Sequence, residues 1–109
     1  MNREDFTFVI TTFNSEKIIF DCIKNLPTQC NKIVIENSNN HQIKIDLEEK
    51  FNNLECYVMK DNLGYGKANN FGIKKSKTKY VFILNPDVIL NEISFIEIIN
   101  LLKNEKFTI

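Results

Sequence analysis

The segment at residues 80–88 constrains the fold most, because a run of β-forming apolar residues stops abruptly at Asn85-Pro86-Asp87. A short apolar run that ends in turn residues predicts a buried β-strand. Pro86 has no N–H to donate, so strand pairing must end near it, and it keeps Asn85 extended. Asp87 is then expected just beyond the strand, where a stiff turn presents its carboxylate to a cation. An ordinary polar turn is the alternative interpretation.

Three other apolar segments predict strands earlier in the chain. They cover residues 6–11 (FTFVIT), 32–35 (KIVI) and 55–59 (ECYVM), and each is followed by a polar loop. The intervals between them carry helical spacing of apolar residues. This alternation predicts an α/β, Rossmann-like domain with a parallel sheet of about four strands and helices on both faces.

The sequence predicts the first helix clearly, whereas the second interval between strands is ambiguous. Asn14 or Ser15 can cap the first, which ends by Pro27 and has a buried stripe formed by Ile18, Ile19, Cys22, Ile23 and Leu26. The second interval is ambiguous, because its apolar residues at 43, 45 and 47 alternate like a strand, whereas those at 43, 47 and 51 fit a helix. The acidic run at residues 46–49 favours the helix.

Two further helices are predicted in the second half of the chain. One covers residues 65–76, and Ala68 and Gly72 are small enough to let it approach the sheet closely. The last has an amphipathic pattern formed by Ile93, Phe95, Ile96, Ile99 and Leu102. Residues 107–109 look like the start of another strand, so we expect a truncated sheet.

The four loops that follow the strands hold most of the uncharged polar side chains. They are residues 11–15, 36–40, 61–66 and 85–88. Right-handed crossovers between parallel strands bring such loops to one edge of the sheet. Ligands of open α/β sheets bind at this edge, so we expect a binding site there.

Length and composition exclude several classes of protein. The chain has 109 residues and is 43% hydrophobic, which suits one domain with a core. Its formal net charge is zero, so charge gives no argument for binding nucleic acid. The three cysteines form no C-x-x-C pair and the chain has one histidine, so the sequence contains no zinc-binding spacing.

Thiols of this kind indicate a reducing compartment, and no segment resembles a signal peptide or a membrane span. We therefore predict a cytoplasmic protein with at most a peripheral membrane contact.

Two acids lie in positions that suit ligand binding. Asp87 could hold Mg²⁺ or Mn²⁺, since such cations often take one or two carboxylates and complete their shell with phosphate and water. Glu36 could accept hydrogen bonds from a ribose or a base, as an acid after the second strand does in dinucleotide-binding folds. A solvated loop acid is an equally good interpretation of Glu36.

The glycine-bearing loop at residues 62–67 lacks both common phosphate-binding patterns. It nevertheless leads into a helix N-terminus, which favours anions. A plain strand-to-helix turn is the alternative. Lys67 is the lysine of the basic segment at residues 67–79 that we expect near the binding edge.

The order of these motifs resembles glycosyltransferase family 2, and within it the rhamnosyltransferase-like members. Thr-Thr-Phe-Asn follows the first strand, and Glu-Asn-Ser-Asn follows the second. Asn-Leu-Gly-Tyr-Gly-Lys-Ala-Asn-Asn-Phe-Gly and Leu-Asn-Pro-Asp-Val come later in the chain. The resemblance extends over residues 6–102. It implies the nucleotide-sugar-binding half of a GT-A fold, with a nucleotide-diphosphate sugar as donor.

The resemblance also implies roles for individual residues. Glu36 matches an acid that contacts the base or ribose, although relatives usually have the shorter Asp. Asp87 matches the final acid of the metal motif, and Asn85 stands where many relatives have its first acid. Other implied contacts to the nucleotide are Thr11, Thr12, Asn14, Asn62, Gly64 and Asn70.

The family carries its catalytic base and acceptor site in the half that follows, so the catalytic residue is unknown here. We expect donor binding with little transfer by these residues alone, and either self-association or a missing C-terminal half that covers the open edge. Two alternatives are a non-catalytic α/β module that binds a nucleotide or a protein, and a nucleotidyltransferase.

Overall fold

Four parallel strands and four helices alternate in a computed structural model, which describes residues 1–104. The strands are β1 (Phe6–Thr12), β2 (Asn31–Glu36), β3 (Leu54–Val58) and β4 (Tyr80–Leu84). The helices are α1 (Glu16–Lys24), α2 (His41–Lys50), α3 (Tyr65–Lys75) and α4 (Glu92–Asn104), and a short 3-10 turn at Arg3–Asp5 precedes them. The strand order is β3-β2-β1-β4. The predicted α/β class and parallel sheet are confirmed.

Side chains of β1 alternate between two cores, one on each face of the sheet. Phe6, Phe8 and Ile10 belong to the larger core, to which α1, α2 and α4 contribute. Val9 belongs to a smaller core with Ala68 of α3. Helices therefore cover both faces, as the sequence predicts, and α3 packs on the opposite face from the other three helices.

The four expected strands and four expected helices are present, and turn or capping residues mark where some of them begin or end. β4 stops at Leu84, immediately before the Asn-Pro-Asp turn. The ambiguous second interval is helical, because α2 buries Ile43 and Leu47 and leaves Ile45 exposed. Asn40 caps this helix by accepting hydrogen bonds from two of its N–H groups.

Some details of α1 and α4 differ from expectation. Ser15 occupies the N-cap position of α1, but neither it nor Asn14 caps the helix through its side chain. Ile18 of the predicted buried stripe is exposed. In α4 only Phe95 is fully buried, whereas Ile93 is 69% exposed. The strand predicted at residues 107–109 lies outside the described residues.

Gly72 lets α3 lie directly on the sheet. A Cβ placed on this glycine would lie 2.5 Å from Cγ1 of Val9 on β1, which is closer than two carbon atoms can approach. The side chain of Ile35 on β2 would lie 3.5 Å away. The distance between α3 and the two central strands is therefore set by the missing side chain.

We predict that Gly72→Ala destabilises the protein by about 1–3 kcal/mol, because the added methyl overpacks the contact with Val9. Gly66 of the same helix is the matched control, since a Cβ there meets nothing within 4 Å. Gly66→Ala should fall within about 1 kcal/mol of the wild type, on the stabilising side. Urea denaturation measures both, and equal midpoints for the two variants would contradict this packing.

Candidate functional site

The four loops at the carboxyl ends of the strands meet around one depression of about 370 Å³. Every loop contributes to its wall, and the lining residues are Thr11, Phe13, Ser15, Asn37, Asn62, Gly64, Tyr65 and Pro86. We call these four loops, together with the start of α3, the rim. The expected convergence of polar loops at one edge of the sheet is confirmed.

The register of the strands makes room for this depression. β1 and β2 end level, since Thr12 pairs with Glu36. β4 ends earlier, because Leu84 pairs with Ile10 and β1 continues for two residues beyond that pair. The Asn-Pro-Asp turn consequently begins two residues below the end of β1, its neighbour in the sheet.

Asn37 joins the loops after β2 and β3. Its amide Nδ2 donates to Asn62 Oδ1 at 2.8 Å, and its Oδ1 accepts from the backbone N–H of Leu63 at 3.0 Å. Asn62 Oδ1 also accepts from the N–H of Gly64 at 2.9 Å, and Gly64 has a φ of +77° that favours glycine. Asn37 is buried, so these bonds fix the glycine loop where it enters α3.

Glu36 is fully buried, which excludes the solvated loop acid considered from the sequence. One carboxylate oxygen accepts from the backbone N–H groups of Ser38 at 3.0 Å and Asn40 at 2.8 Å. The other accepts from the Ser38 hydroxyl. Glu36 therefore shapes the loop between β2 and α2. Its contact with a ribose or base stays a prediction, and both oxygens already have protein partners.

Asn14 connects the loops after β1 and β2. Its backbone N–H donates to the Ser38 hydroxyl at 3.1 Å, and its φ of +48° is a left-handed conformation that asparagine tolerates better than most residues. The chain thereby turns sharply away from β1 and exposes Phe13. The Asn14 side chain itself is exposed at the rim.

Thr11 and Thr12 face opposite sides of the sheet and differ in their bonding. The Thr11 hydroxyl donates to Oδ1 of the buried Asn69 on α3 at 2.7 Å. The Thr12 hydroxyl is also buried, but it has no hydrogen-bond partner among the described residues. A buried hydroxyl without a partner is costly, and Thr12 does not line the depression, so its predicted contact with a nucleotide stays a prediction.

Asp87 lies in a closed turn and is exposed. The N–H of Val88 donates to the carbonyl of Asn85 at 3.1 Å, so Asn85 to Val88 form a β-turn with Pro86 in its favoured second position. Burial raises the pKa of the Cys22 thiol on α1 to about 11, and the negative charge of Asp87 adds to this effect. The Asp87 side chain is exposed on the rim, as expected from the sequence, whereas its role as a metal ligand stays a prediction.

Within residues 1–104, no three or more side chains of Asp, Glu, His or Cys lie close enough together to hold a metal ion. A cation bound at Asp87 would have to complete its shell with water and ligand phosphate. Mg²⁺ commonly binds in this way, so the donor set fits such a cation.

The two remaining predicted contacts, Lys67 and Asn70, are exposed on α3. Neither lines the depression. Of the predicted site residues, only Thr11, Asn62 and Gly64 line it, and the others that do not are Thr12, Asn14, Glu36, Asn85 and Asp87. Asn69, the neighbour of Asn70, is buried instead and holds Thr11. Helical spacing accounts for this, because residues 65, 68, 69 and 72 share the face of α3 that packs on the sheet, and Asn70 lies outside it.

Tyr65, Asn37 and Asn69 are site residues that the sequence reasoning did not single out. The Tyr65 hydroxyl donates to Asn85 Oδ1 and joins the start of α3 to the turn after β4. Helical spacing from Gly72 could have identified Tyr65 and Asn69. No sequence signal distinguishes Asn37 from the other asparagines of its loop.

Comparison with known proteins identifies the family. Residues 7–109 match the model of glycosyl transferase family 2. This chain belongs to glycosyl transferase family 2. The family expected from the sequence motifs is therefore confirmed.

Individual relatives are distant and much longer. The chain is 24% identical to the minor teichoic acid biosynthesis protein GgaB of Bacillus subtilis (strain 168), over 94% of this chain and 12% of GgaB. The crystal structure of S. aureus TarS 1-349 has a TM-score of 0.75 at 22% identity, over 92% of this chain and 32% of that one. The longer S. aureus TarS structure has a TM-score of 0.74 at 21% identity, over 92% of this chain and 20% of that one.

The similarity to TarS confirms the GT-A type of α/β fold. This family 2 chain spans about a third or less of each of these relatives.

We predict opposite effects for two neighbouring threonine substitutions. Thr11→Val should destabilise the protein by about 1–3 kcal/mol, because it leaves Oδ1 of buried Asn69 without a donor. Thr12→Val is the matched control, and it should be neutral or stabilising because it removes a buried hydroxyl that has no partner. Thermal and urea unfolding report both changes. Destabilisation by Thr12→Val equal to that by Thr11→Val would contradict the assigned bonding.

Proposed function

We propose that the rim binds the nucleoside diphosphate part of a nucleotide-sugar donor, for transfer of the sugar to a glycan or lipid-linked acceptor. The observation that carries this proposal is the meeting of all four strand-end loops around one depression, in a chain of glycosyl transferase family 2. The related GgaB is named as a teichoic acid biosynthesis protein, which supports polysaccharide biosynthesis as the setting. The sugar, including rhamnose, is not assigned.

The groups left free at the rim suit a nucleotide. Phe13 and Tyr65 line the depression and are each about half exposed, so their rings offer apolar surfaces to a planar base or a sugar ring. The Thr12 hydroxyl, which is buried at the end of β1, is a polar group that needs a partner. Asn14, Asn62 and the backbone of Gly64 surround these groups at the loop ends. We assign all of them to donor binding.

Charge at the rim suits a diphosphate bound through a cation. We assign Mg²⁺ or Mn²⁺ to Asp87, and such a cation would act as a Lewis acid that stabilises the leaving diphosphate. Lys67 and Asn70 on the first turns of α3 and Asn85 beside the metal residue are assigned to the phosphate side of the donor. Glu36 is assigned to the same site through the loop that its carboxylate holds.

Transfer needs a base that deprotonates the acceptor hydroxyl, and no residue of the rim is assigned to that role. The related TarS 1-349 chain is about three times as long as the region it shares with this one. We propose that acceptor binding and the base come from a further part of the enzyme. Its position would be beside β4 and α4, where apolar side chains such as Ile83 and Ile93 are exposed. A second copy of the chain is the other possible occupant.

A cytoplasmic location is proposed from the cysteines. Cys22, Cys30 and Cys56 are free, buried thiols, and burial raises the pKa of Cys56 to about 12. Free thiols are typical of reducing compartments. Within residues 1–104 no helix is long and apolar enough to cross a membrane.

We predict that nucleoside diphosphate binding depends on Mg²⁺ or Mn²⁺ through Asp87. Calorimetry with uridine, guanosine, cytidine and thymidine diphosphates should give an affinity that falls about tenfold or more when a chelator is added. Asp87→Ala should lose this dependence and keep its unfolding midpoint, since the side chain is exposed. Asp61→Ala removes an exposed acid from another rim loop and is the control.

Retention of full metal dependence in Asp87→Ala would disprove the metal assignment. Binding that ignores both the chelator and the mutation would favour the alternative, a non-catalytic nucleotide-binding or protein-interaction module.

We also predict that the 109-residue chain binds a donor without transferring its sugar at an appreciable rate, because the rim supplies no assigned base. Radiolabelled nucleotide sugars and glycan or lipid-linked acceptors test this. The positive control is a full-length relative under the same conditions. Sugar transfer by the isolated chain at a comparable rate would show that the base lies within these residues.

A further inference from the structure

The start of α3 holds Tyr65 in a defined position at the rim. Tyr65 is the first residue of the helix and follows Gly64, whose N–H is bonded to Asn62 Oδ1 at 2.9 Å. Three residues after Tyr65, Ala68 is buried against the sheet. The backbone that carries the tyrosine ring is therefore fixed from both sides. Its ring lines the depression and its hydroxyl points to the turn after β4.

The hydroxyl of Tyr65 donates to Oδ1 of Asn85, a residue 20 positions later in the chain. Within residues 1–104 no other hydrogen bond joins the loop at the start of α3 to the turn after β4. Asn85 is also the first residue of that turn, because its carbonyl accepts from the N–H of Val88. The orientation of Asn85 is thus linked to the position of Asp87, two residues further along a turn that Pro86 stiffens.

This bond also decides which part of the Asn85 side chain remains free. A carboxamide has an oxygen that accepts and an NH₂ group that donates two hydrogen bonds. Tyr65 already donates to the oxygen, and no described residue accepts from Nδ2. Hard cations bind oxygen, whereas phosphate oxygens accept from N–H groups. At position 85 the free chemistry therefore suits the diphosphate rather than the cation.

We propose that Tyr65 is a positioning residue for donor binding: its hydroxyl orients Asn85 so that the Asn85 NH₂ contacts a diphosphate oxygen, and it fixes the turn that carries Asp87. This inference rests on the proposed function, and it adds the residue that connects the glycine loop to the metal turn. Asn85 is then an anion ligand, and the cation is held by Asp87 without it.

The test compares Tyr65→Phe with wild type in calorimetry with the nucleoside diphosphate that binds most tightly, over a range of Mg²⁺ concentrations. The affinity should fall about fivefold, which corresponds to the loss of one hydrogen bond, and half-saturation should need more Mg²⁺. Tyr57→Phe is the matched control, because the Tyr57 hydroxyl donates to Glu55 at 2.5 Å away from the rim. It should bind like the wild type.

A double-mutant cycle shows whether Tyr65 acts through Asn85. In an Asn85→Ala background, Tyr65→Phe should have no further effect on affinity, whereas a direct contact of the Tyr65 hydroxyl with the ligand would still cost its full effect. Unfolding midpoints of the Tyr65→Phe and Asn85→Ala variants should match the wild type, since both side chains are exposed. In the free protein, the Asn85 side-chain NH₂ resonances should shift in Tyr65→Phe and stay unchanged in Tyr57→Phe.

The outcomes separate this inference from the proposed function. If the wild type binds the diphosphate and Tyr65→Phe binds equally well, or if the two substitutions have additive effects, the role of Tyr65 is disproved and donor binding stands. If the wild type binds none of the four nucleoside diphosphates with Mg²⁺ or Mn²⁺, both proposals fail.

Discussion

The contact between α3 and the two central strands determines where the rim groups lie. Gly72 removes the side chain that would separate the helix from Val9, and Ala68 continues the same close surface one turn earlier. Because the helix is rigid, this contact also fixes Asn69 under Thr11 and Tyr65 beside Asn85. The close packing of Gly72 and Ala68 on the sheet thus determines where the other side chains on that face of α3 lie at the binding edge. The face is apolar near the middle of the strands and polar at their ends.

The buried polar side chains at the rim carry a desolvation cost that their hydrogen bonds offset. Glu36, Asn37 and Asn69 are all buried, and a buried polar group without a partner costs roughly 1–3 kcal/mol. Glu36 has partners within its own loop, Asn37 bonds to Asn62 of the loop after β3, and Asn69 bonds to Thr11 at the end of β1. The loops are therefore held to one another as well as to the sheet. A binding site on such loops is largely formed before a ligand arrives, which limits the entropy lost on binding.

The sequence predicted the architecture well because the apolar segments have the lengths and periodicities that strands and helices require. Pro86 marked the end of β4, and Gly72 marked the close helix. The sequence predicted the site less completely, since position along a loop does not reveal which side chain turns inward. Asn69 rather than Asn70 is buried, and Glu36 is enclosed by its own loop instead of being exposed. Burial of polar groups depends on tertiary contacts that local patterns do not encode.

The bonding within the rim also limits what a ligand can contact. The side-chain oxygens of Asn37, Asn62 and Glu36 already accept hydrogen bonds from the protein. A ligand would therefore find few free hydrogen-bond acceptors at the ends of β2 and β3. The groups exposed in the depression are of another kind, namely the aromatic rings of Phe13 and Tyr65. Asp87 adds a carboxylate beyond β4. Under the proposed function, these groups suit a ligand that has an apolar ring and phosphates that recruit a cation. Phe13 follows β1 and Asp87 follows β4, with Tyr65 beside the turn that carries Asp87, so under this proposal the base of the donor would contact Phe13 and its phosphates would lie towards β4.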